Sequence, residues 1–217
     1  MRRTIVIGDV HGCAEEFEAL LRTLKLKPKD RVFQVGDLVN RGPNSHRAIK
    51  LAKEYNVRCV LGNHEVRLLK AKKQNSITGL KSYDHRTMKQ LTKADWNFLK
   101  KMPPYIHKPK RKIIIVHAGF LPEPAWHKQD IDTITQIRVV DTDGNAAKRD
   151  TAPDKPSWAE HWNGTHFVVY GHAARREVFK RPGSIGIDTG CVYGGHLTAF
   201  ILEDQSIVQI PAKKKYA

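Results

Sequence analysis

A short repeated pattern constrains this chain more than any other feature. Apolar runs of a few residues each end in a glycine beside Asp, Asn or His. "IVIGDVHG" delivers Asp9 and His11, "VFQVGDLVNRG" delivers Asp37, Asn40 and Arg41, and "CVLGNHE" delivers Asn63 and His64. "IIIVHAG" and "VVYGHA" do the same for His117 and His172. Short apolar runs without polar alternation read as strands buried on both faces. Glycine then allows the tight turn by which a polar residue leaves the strand. In an open α/β sheet, ligands bind beyond the carboxyl ends of the strands. Five strand ends with such side chains therefore point to one shared site.

The segments between the first strands have helical spacing. "AEEFEALLRTLKL" (14–26) puts Phe17, Leu20, Leu21 and Leu24 on one face, and "HRAIKLAKEY" (46–55) reads as a second helix. With strands at 4–9, 31–37 and 57–62, the order β-α-β-α-β predicts an α/β layered domain. Strands at 112–119, 166–173, 184–190, 196–204 and 206–212 form a β-rich second half. The 217 residues suit a single domain, 1–217. Residues 67–110 interrupt the rhythm and read as a helical basic insertion. Within it, Thr92 and Asp95 cap a helix running to about Lys101, before Pro103-Pro104. Residues 139–157 read as a polar loop, and the final "KKKYA" as a solvated end.

The net charge is +16, and it is concentrated. From Arg67 to Lys112 there are fourteen Lys and Arg against Asp84 and Asp95, a balance of +12. Such a window is either a solvated face or an electrostatic funnel for an anion. Tyr83, Trp96 and Tyr105 interleave with it, as base stacking would require, although Trp96 on a helix face is more often core. Trp158 and Trp162 likewise fit either a site wall or a core. No run approaches the roughly 20 apolar residues of a membrane span. The first apolar run stops at Gly8-Asp9, too short for an export signal. Cys13, Cys59 and Cys191 are scattered without CxxC spacing, which fits reduced thiols in a cytoplasmic protein.

Two carboxylates, three imidazoles and one amide, with no thiolate, suit Mn²⁺, Fe²⁺ or Zn²⁺. They exceed the needs of one ion. Two divalent metal ions sharing a bridging Asp is the economical arrangement, and such pairs serve phosphoryl hydrolysis.

The motifs GDVHG, GDLVNRG, GNHE, VHAG and YGHA, in this order, resemble those of the calcineurin-like metallophosphoesterases of the phosphoprotein phosphatase superfamily. "GDLVNRGPNS", "WAEHWNG", "VVYGHAARREV" and "GIDTGCVYGGHLTAFIL" resemble the ApaH-like phosphatases, relatives of the symmetrical bis(5'-nucleosyl)-tetraphosphatases. The resemblance runs from residue 8 to about 195 and implies a central β-sandwich of mixed sheets flanked by helices. It implies that Asp9 and His11 hold one metal, that Asp37 bridges, and that Asn63, His117 and His172 hold the second. Mn²⁺ is the expected ion, with Fe²⁺, Zn²⁺ or Co²⁺ as substitutes. By the same resemblance His64 is the catalytic acid, and Arg41 and Arg138 bind phosphate. Asn40 departs from the protein phosphatases, which carry Asp there to orient and charge the histidine. An amide predicts a lower pKa for His64 and a preference for good leaving groups. Dinucleoside polyphosphates of the diadenosine tetraphosphate type, nucleotide-capped RNA ends and polyphosphate are then the expected substrates. The alternatives are a Ser/Thr or Tyr phosphoprotein phosphatase with the same centre, or a basic RNA-binding module with an inactive site.

Overall fold

The structure is a computed structural model that describes residues 2–147 and 154–217. The first strand shows why the apolar runs lack alternation. In β1 (Thr4–Ile7), Ile5 and Ile7 face helices while Val6 faces a second sheet. Both faces are buried, so no position can be polar for solvent's sake.

The chain continues through α1 (Ala14–Thr23), β2 (Arg31–Gln34), α2 (Ser45–Glu54) and β3 (Arg58–Cys59). The three strands lie parallel, side by side. The expected faces of both helices are buried: Phe17, Leu20 and Leu21 on α1, and Ala48, Ile49, Leu51 and Ala52 on α2. The Asn44 side chain caps α2 by accepting from the Arg47 N–H.

Three helices follow, α3 (Asn63–Gln74), α4 (Ser82–Gln90) and α5 (Lys93–Lys100). Thr92 caps α5 as its spacing to Asp95 requires, its side chain accepting from the Asp95 N–H. The basic window does not stay helical to its end. Pro103-Pro104 stops the helix, and β4 (Tyr105–Lys108) runs antiparallel to β5 (Ile113–Val116). After α6 (Ile131–Gln136), the polar loop at 139–157 contains a small hairpin of β6 (Val139–Val140) and β7 (Ala146–Ala147). The loop's residues 148–153 lie outside the described ones. Then come α7 (Trp158–His161), β8 (Phe167–Tyr170), β9 (Phe179–Arg181) and β10 (Ser184–Gly186), followed by β11 (His196–Ile201) and β12 (Ser206–Pro211).

Two mixed five-stranded sheets result, ordered β12-β11-β1-β2-β3 and β4-β5-β8-β10-β9. Their facing sides interdigitate Val6, Phe33, Val35 and Phe200 with Ile113, Ile115, Val169, Ile185 and Ile187. The expected helix-flanked sandwich is present. Trp158 fills the outer face of the second sheet with Phe120 and Tyr170, so it is a core residue. Trp96 is also core. The tail reading is corrected. Tyr216 packs on the α1 side, its hydroxyl donates to Glu16 at 2.8 Å, and the Lys213 N–H donates to the same carboxylate at 3.0 Å. A buried glutamate needs partners, and the tail supplies them. Among the described residues, no helix is long and apolar enough to cross a membrane.

Candidate metal centre

The strand-end turns use unusual backbone. His11, Asp37, Asn40, Arg41 and His172 all have positive φ, between 48° and 74°. Residues with a Cβ seldom adopt this conformation, and it persists where surrounding structure enforces it. The glycines beside them permit close approach. A Cβ on Gly62 would lie 2.2 Å from Asp37 Oδ1, and one on Gly171 would lie 1.9 Å from Asp9 Oδ1. Glu65 does more than open α3. Its buried carboxylate accepts from the N–H groups of Asp37 (2.9 Å), Val39 (3.1 Å) and Gly62 (2.9 Å), tying the β2 turn to the helix start.

Asp37 is the centre of the donor set. Its Oδ2 lies 3.5 Å from His11 Nε2, 3.4 Å from His117 Nε2 and 3.9 Å from His64 Nε2. Two groups of possible metal donors share it: His11, Asp37 and His64, and Asp37, His117 and His172. Asn63 joins the second through Oδ1, 3.1 Å from His117 Nε2. Asp9 stands outside both tight groups, its carboxylate accepting from the His172 backbone N–H at 3.1–3.2 Å.

The other ring nitrogens are already engaged. His11 Nδ1 faces the Val39 carbonyl at 3.2 Å, and His117 Nδ1 faces that of Val35 at 3.0 Å. Each therefore keeps its Nε2 lone pair for a ligand. His172 Nε2 faces the Gln136 carbonyl at 3.1 Å, which leaves Nδ1. Burial pushes His11 down to about 4 and His172 well below its ordinary range, so both are neutral imidazoles. Burial, then the Asp188 charge, pushes Asp9 well above the usual carboxylate range. Burial also opposes a charge on His117, yet Asp37 outweighs it and lifts the imidazole to about 9. The Asp37 charge thus draws positive charge into a site lined by imidazole nitrogens and by carboxylate and amide oxygens. That donor set fits divalent cations.

His64 is fixed from behind. Its Nδ1 lies 3.0 Å from Asn40 Nδ2 and 3.1 Å from an Arg67 nitrogen. Both are donors, so Nδ1 accepts and Nε2 carries the proton. Asn40 Nδ2 also donates to Asp84 Oδ1 at 2.7 Å, and Arg67 pairs with the same oxygen at 2.9 Å. The expectation that His64 lacks an acid is therefore refined: Asp84 stands one residue behind Asn40. Burial, opposed by Asp37, holds the imidazole down at about 2, in the direction the amide predicts.

The sequence matches the calcineurin-like phosphoesterase family over residues 2–197. The chain belongs to that family. It is 33% identical to the asymmetrical bis(5'-nucleosyl)-tetraphosphatase PrpE of Oceanobacillus iheyensis, over 97% of this chain and 93% of the relative. It is 30% identical to the symmetrical bis(5'-nucleosyl)-tetraphosphatase of Shewanella sediminis, over 96% and 98%. A crystal structure provisionally assigned as a diadenosine tetraphosphatase superposes with a TM-score of 0.86 at 33% identity, covering 97% of this chain and 93% of that one.

In this calcineurin-like phosphoesterase the predicted arginines flank the donor set. Arg41 reaches His11 Nε2 at 3.4 Å and donates to the Tyr193 hydroxyl. Arg138 Nε lies 3.3 Å from His172 Nε2. Sequence reasoning missed Arg67, Asp84 and Asp188 as neighbours of the site, and singled out Tyr83 only for base stacking. Arg67 follows His64 by one helical turn, a spacing that could have flagged it. Tyr83 faces the His64 ring at 5.5 Å, with the Arg41 and Arg67 guanidinium groups over its own ring. Of Tyr83, Trp96 and Tyr105, only Tyr83 has these contacts with His64 and Arg41; Tyr105 packs against Trp126. Asp188, pushed up to about 6 by burial, adds a third carboxylate charge.

Proposed function

We propose that this phosphoesterase hydrolyses phosphoanhydride bonds in dinucleoside polyphosphates of the diadenosine tetraphosphate type, and in related capped or linear polyphosphates. Asp9, His11 and Asp37 would hold one divalent ion, and Asp37, Asn63, His117 and His172 a second, with Mn²⁺ the best match to the donors. When bound, such ions supply electrophilic charge at phosphoryl oxygens and acidify water. The chain's own residues do the rest. Arg41 and Arg138, on either side, neutralise and orient the phosphoryl oxygens. His64 offers its Nε2 proton to the leaving oxygen. The helices of residues 67–110 form a basic insertion that adds Arg67, Tyr83 and Asp84 to the site.

One observation carries the choice of substrate. His64 Nδ1 accepts from Asn40 and Arg67 and touches no carboxylate directly. An imidazole held neutral in this way is a modest acid partner for a serine alkoxide. It is adequate for a nucleotide phosphate, which leaves with little protonation. The test compares Mn²⁺-loaded enzyme on diadenosine tetraphosphate and on a phosphoserine peptide. We expect kcat/KM to favour the dinucleotide by about 100-fold or more. Equal or reversed preference overturns the reading in favour of a phosphoprotein phosphatase. Product analysis then separates ADP plus ADP from ATP plus AMP, which matters because the two named relatives bear opposite cleavage labels.

A further inference from the structure

The three parallel strands carry metal-site residues beyond their carboxyl ends and cations at their starts. Arg2 precedes β1, Arg31 opens β2 and Arg58 opens β3. The parallel register stacks these starts together, Thr4 beside Arg31 and Phe33 beside Arg58. Lys27 and Lys29 sit in the turn that enters β2. Together these side chains line a cavity of about 990 Å³. It lies at the other end of the sheet from the metal centre: the length of β2, about 10 Å of extended chain, and then the turn of Val35 and Gly36 separate Arg31 from Asp37.

The charge in this cavity is not neutralised locally. Its lining has five cations and two carboxylates, Asp30 and Glu54. Asp30 is held by Arg3, whose Nε donates to it at 3.0 Å, and Glu54 by Lys50 at 3.8 Å. Among the described residues, no carboxylate pairs with Arg2, Lys27, Lys29 or Arg58 within 4.0 Å. Lys108 has its ammonium 5.0 Å from the centre of the Phe33 ring, and Phe33 lines the cavity. Burial, then the nearby Arg58 and Arg2 charges, pushes its pKa down. Tyr55 and Asn56 add a ring and an amide to the wall. Several convergent guanidinium and ammonium groups around a concavity make a receptor for multiply charged phosphate, and the volume suits a nucleotide.

We infer that the cavity bounded by Arg2, Lys27, Lys29, Arg31 and Arg58 is a second anion site, which takes an oligophosphate such as a nucleoside triphosphate at the end of the sheet opposite the metals. The cavity shares no lining residue with the metal centre. Binding there is therefore independent of the catalytic reading.

The test is calorimetric titration of the Mn²⁺-loaded protein with an adenosine triphosphate analogue carrying methylene at both the α–β and β–γ bridges, which leaves no phosphoanhydride to hydrolyse. Two equivalents should bind. Arg31→Gln with Arg58→Gln should weaken one by about ten-fold or more while p-nitrophenyl phosphate turnover stays within about two-fold. Arg2→Gln with Lys29→Gln, both in exposed loops, should reproduce that loss and guards against a folding defect in the first pair. Arg41→Ala should affect only the other equivalent. A single equivalent, lost with Arg41→Ala alone, overturns the inference. So does retention of both equivalents in the two double variants. A short single-stranded RNA that displaces the distal equivalent and binds more tightly than the nucleotide also overturns it, because the surface then belongs to nucleic acid.

Discussion

His64, the proposed acid, is held by an amide and a guanidinium, with a carboxylate behind both. Asn40 Nδ2 has two hydrogens, one for His64 Nδ1 and one for Asp84 Oδ1. Its Oδ1 is buried and has no hydrogen-bond partner among the described residues, so the two acceptors orient the amide. This changes what a single substitution should do. Asn40→Asp would place a carboxylate oxygen 2.7 Å from that of Asp84, in a site with no room for water to screen them. We expect the single variant to lose activity on every substrate, by about ten-fold or more. The pair Asn40→Asp with Asp84→Asn restores one carboxylate and one amide in swapped order. It should recover turnover of phenyl phosphate more than that of p-nitrophenyl phosphate or diadenosine tetraphosphate, since the poorer leaving group gains most from a better supported imidazolium. Equal recovery on all three, measured as kcat, would break the link between the Asn40 amide and leaving-group preference.

At the scale of elements, the two acids of the basic window prove more informative than its fourteen cations. Asp84 and Asp95 are both buried, and each ties helices together. Asp95 accepts from Thr92 at the start of α5 and from Lys53 at 2.8 Å on α2, and His46 of α2 lies 2.7 Å away. Burial opposes its ionisation, but Lys53, Thr92 and His46 outweigh burial and hold its pKa well below the usual carboxylate range. A depressed folded pKa gives stability that is complete above the unfolded value near 4 and lost as pH falls below it. Asp95→Asn should therefore lower the unfolding free energy from urea titration at pH 7 by about 2 kcal/mol, and that deficit should narrow between pH 4 and pH 2. A deficit that stays constant across that range would show that packing, not ionisation, sets the role of Asp95. The same pair marks how far sequence reasoning reaches. A polar residue beside glycine after a buried run is a local signal, which is why Asp9, His11, Asp37, His117 and His172 were legible. The Asp95 cap was legible because Thr92 is three residues away. Asp84 was not, because the side chain that gives it meaning is 44 positions distant. Tyr216 was hidden for the same reason, its partner Glu16 lying 200 positions away.

At the scale of the whole molecule, the helical layer α3–α5 joins the site and also carries much of the protein's charge. Arg67, Tyr83 and Asp84 reach His64 directly or through Asn40, and Arg86 donates to the Arg41 carbonyl at 2.6 Å. Lys70, Lys73, Lys81 and Lys89 lie exposed on the same helices or at their starts. None of these four forms an ion pair within 4.0 Å of a described carboxylate, unlike Lys53, which is committed to Asp95. Lys72 is a different case, with its ammonium over the Trp96 ring at 4.7 Å, and is better left intact. Free exposed cations act at long range, raising the local concentration of a multiply charged substrate in proportion to its charge. Replacing the four lysines by Gln should raise KM for long-chain polyphosphate and diadenosine tetraphosphate while leaving p-nitrophenyl phosphate almost unchanged. The slope of log(kcat/KM) against log salt should become shallower for the polyanions only, because screening acts on the same field that the lysines create. Equal KM shifts for singly and multiply charged substrates would mean that the substitutions had disturbed α3 and α4 and with them His64. An unchanged salt slope would reduce the basic layer to a solvated surface and leave Arg41 and Arg138 as the whole of the substrate's electrostatic reception.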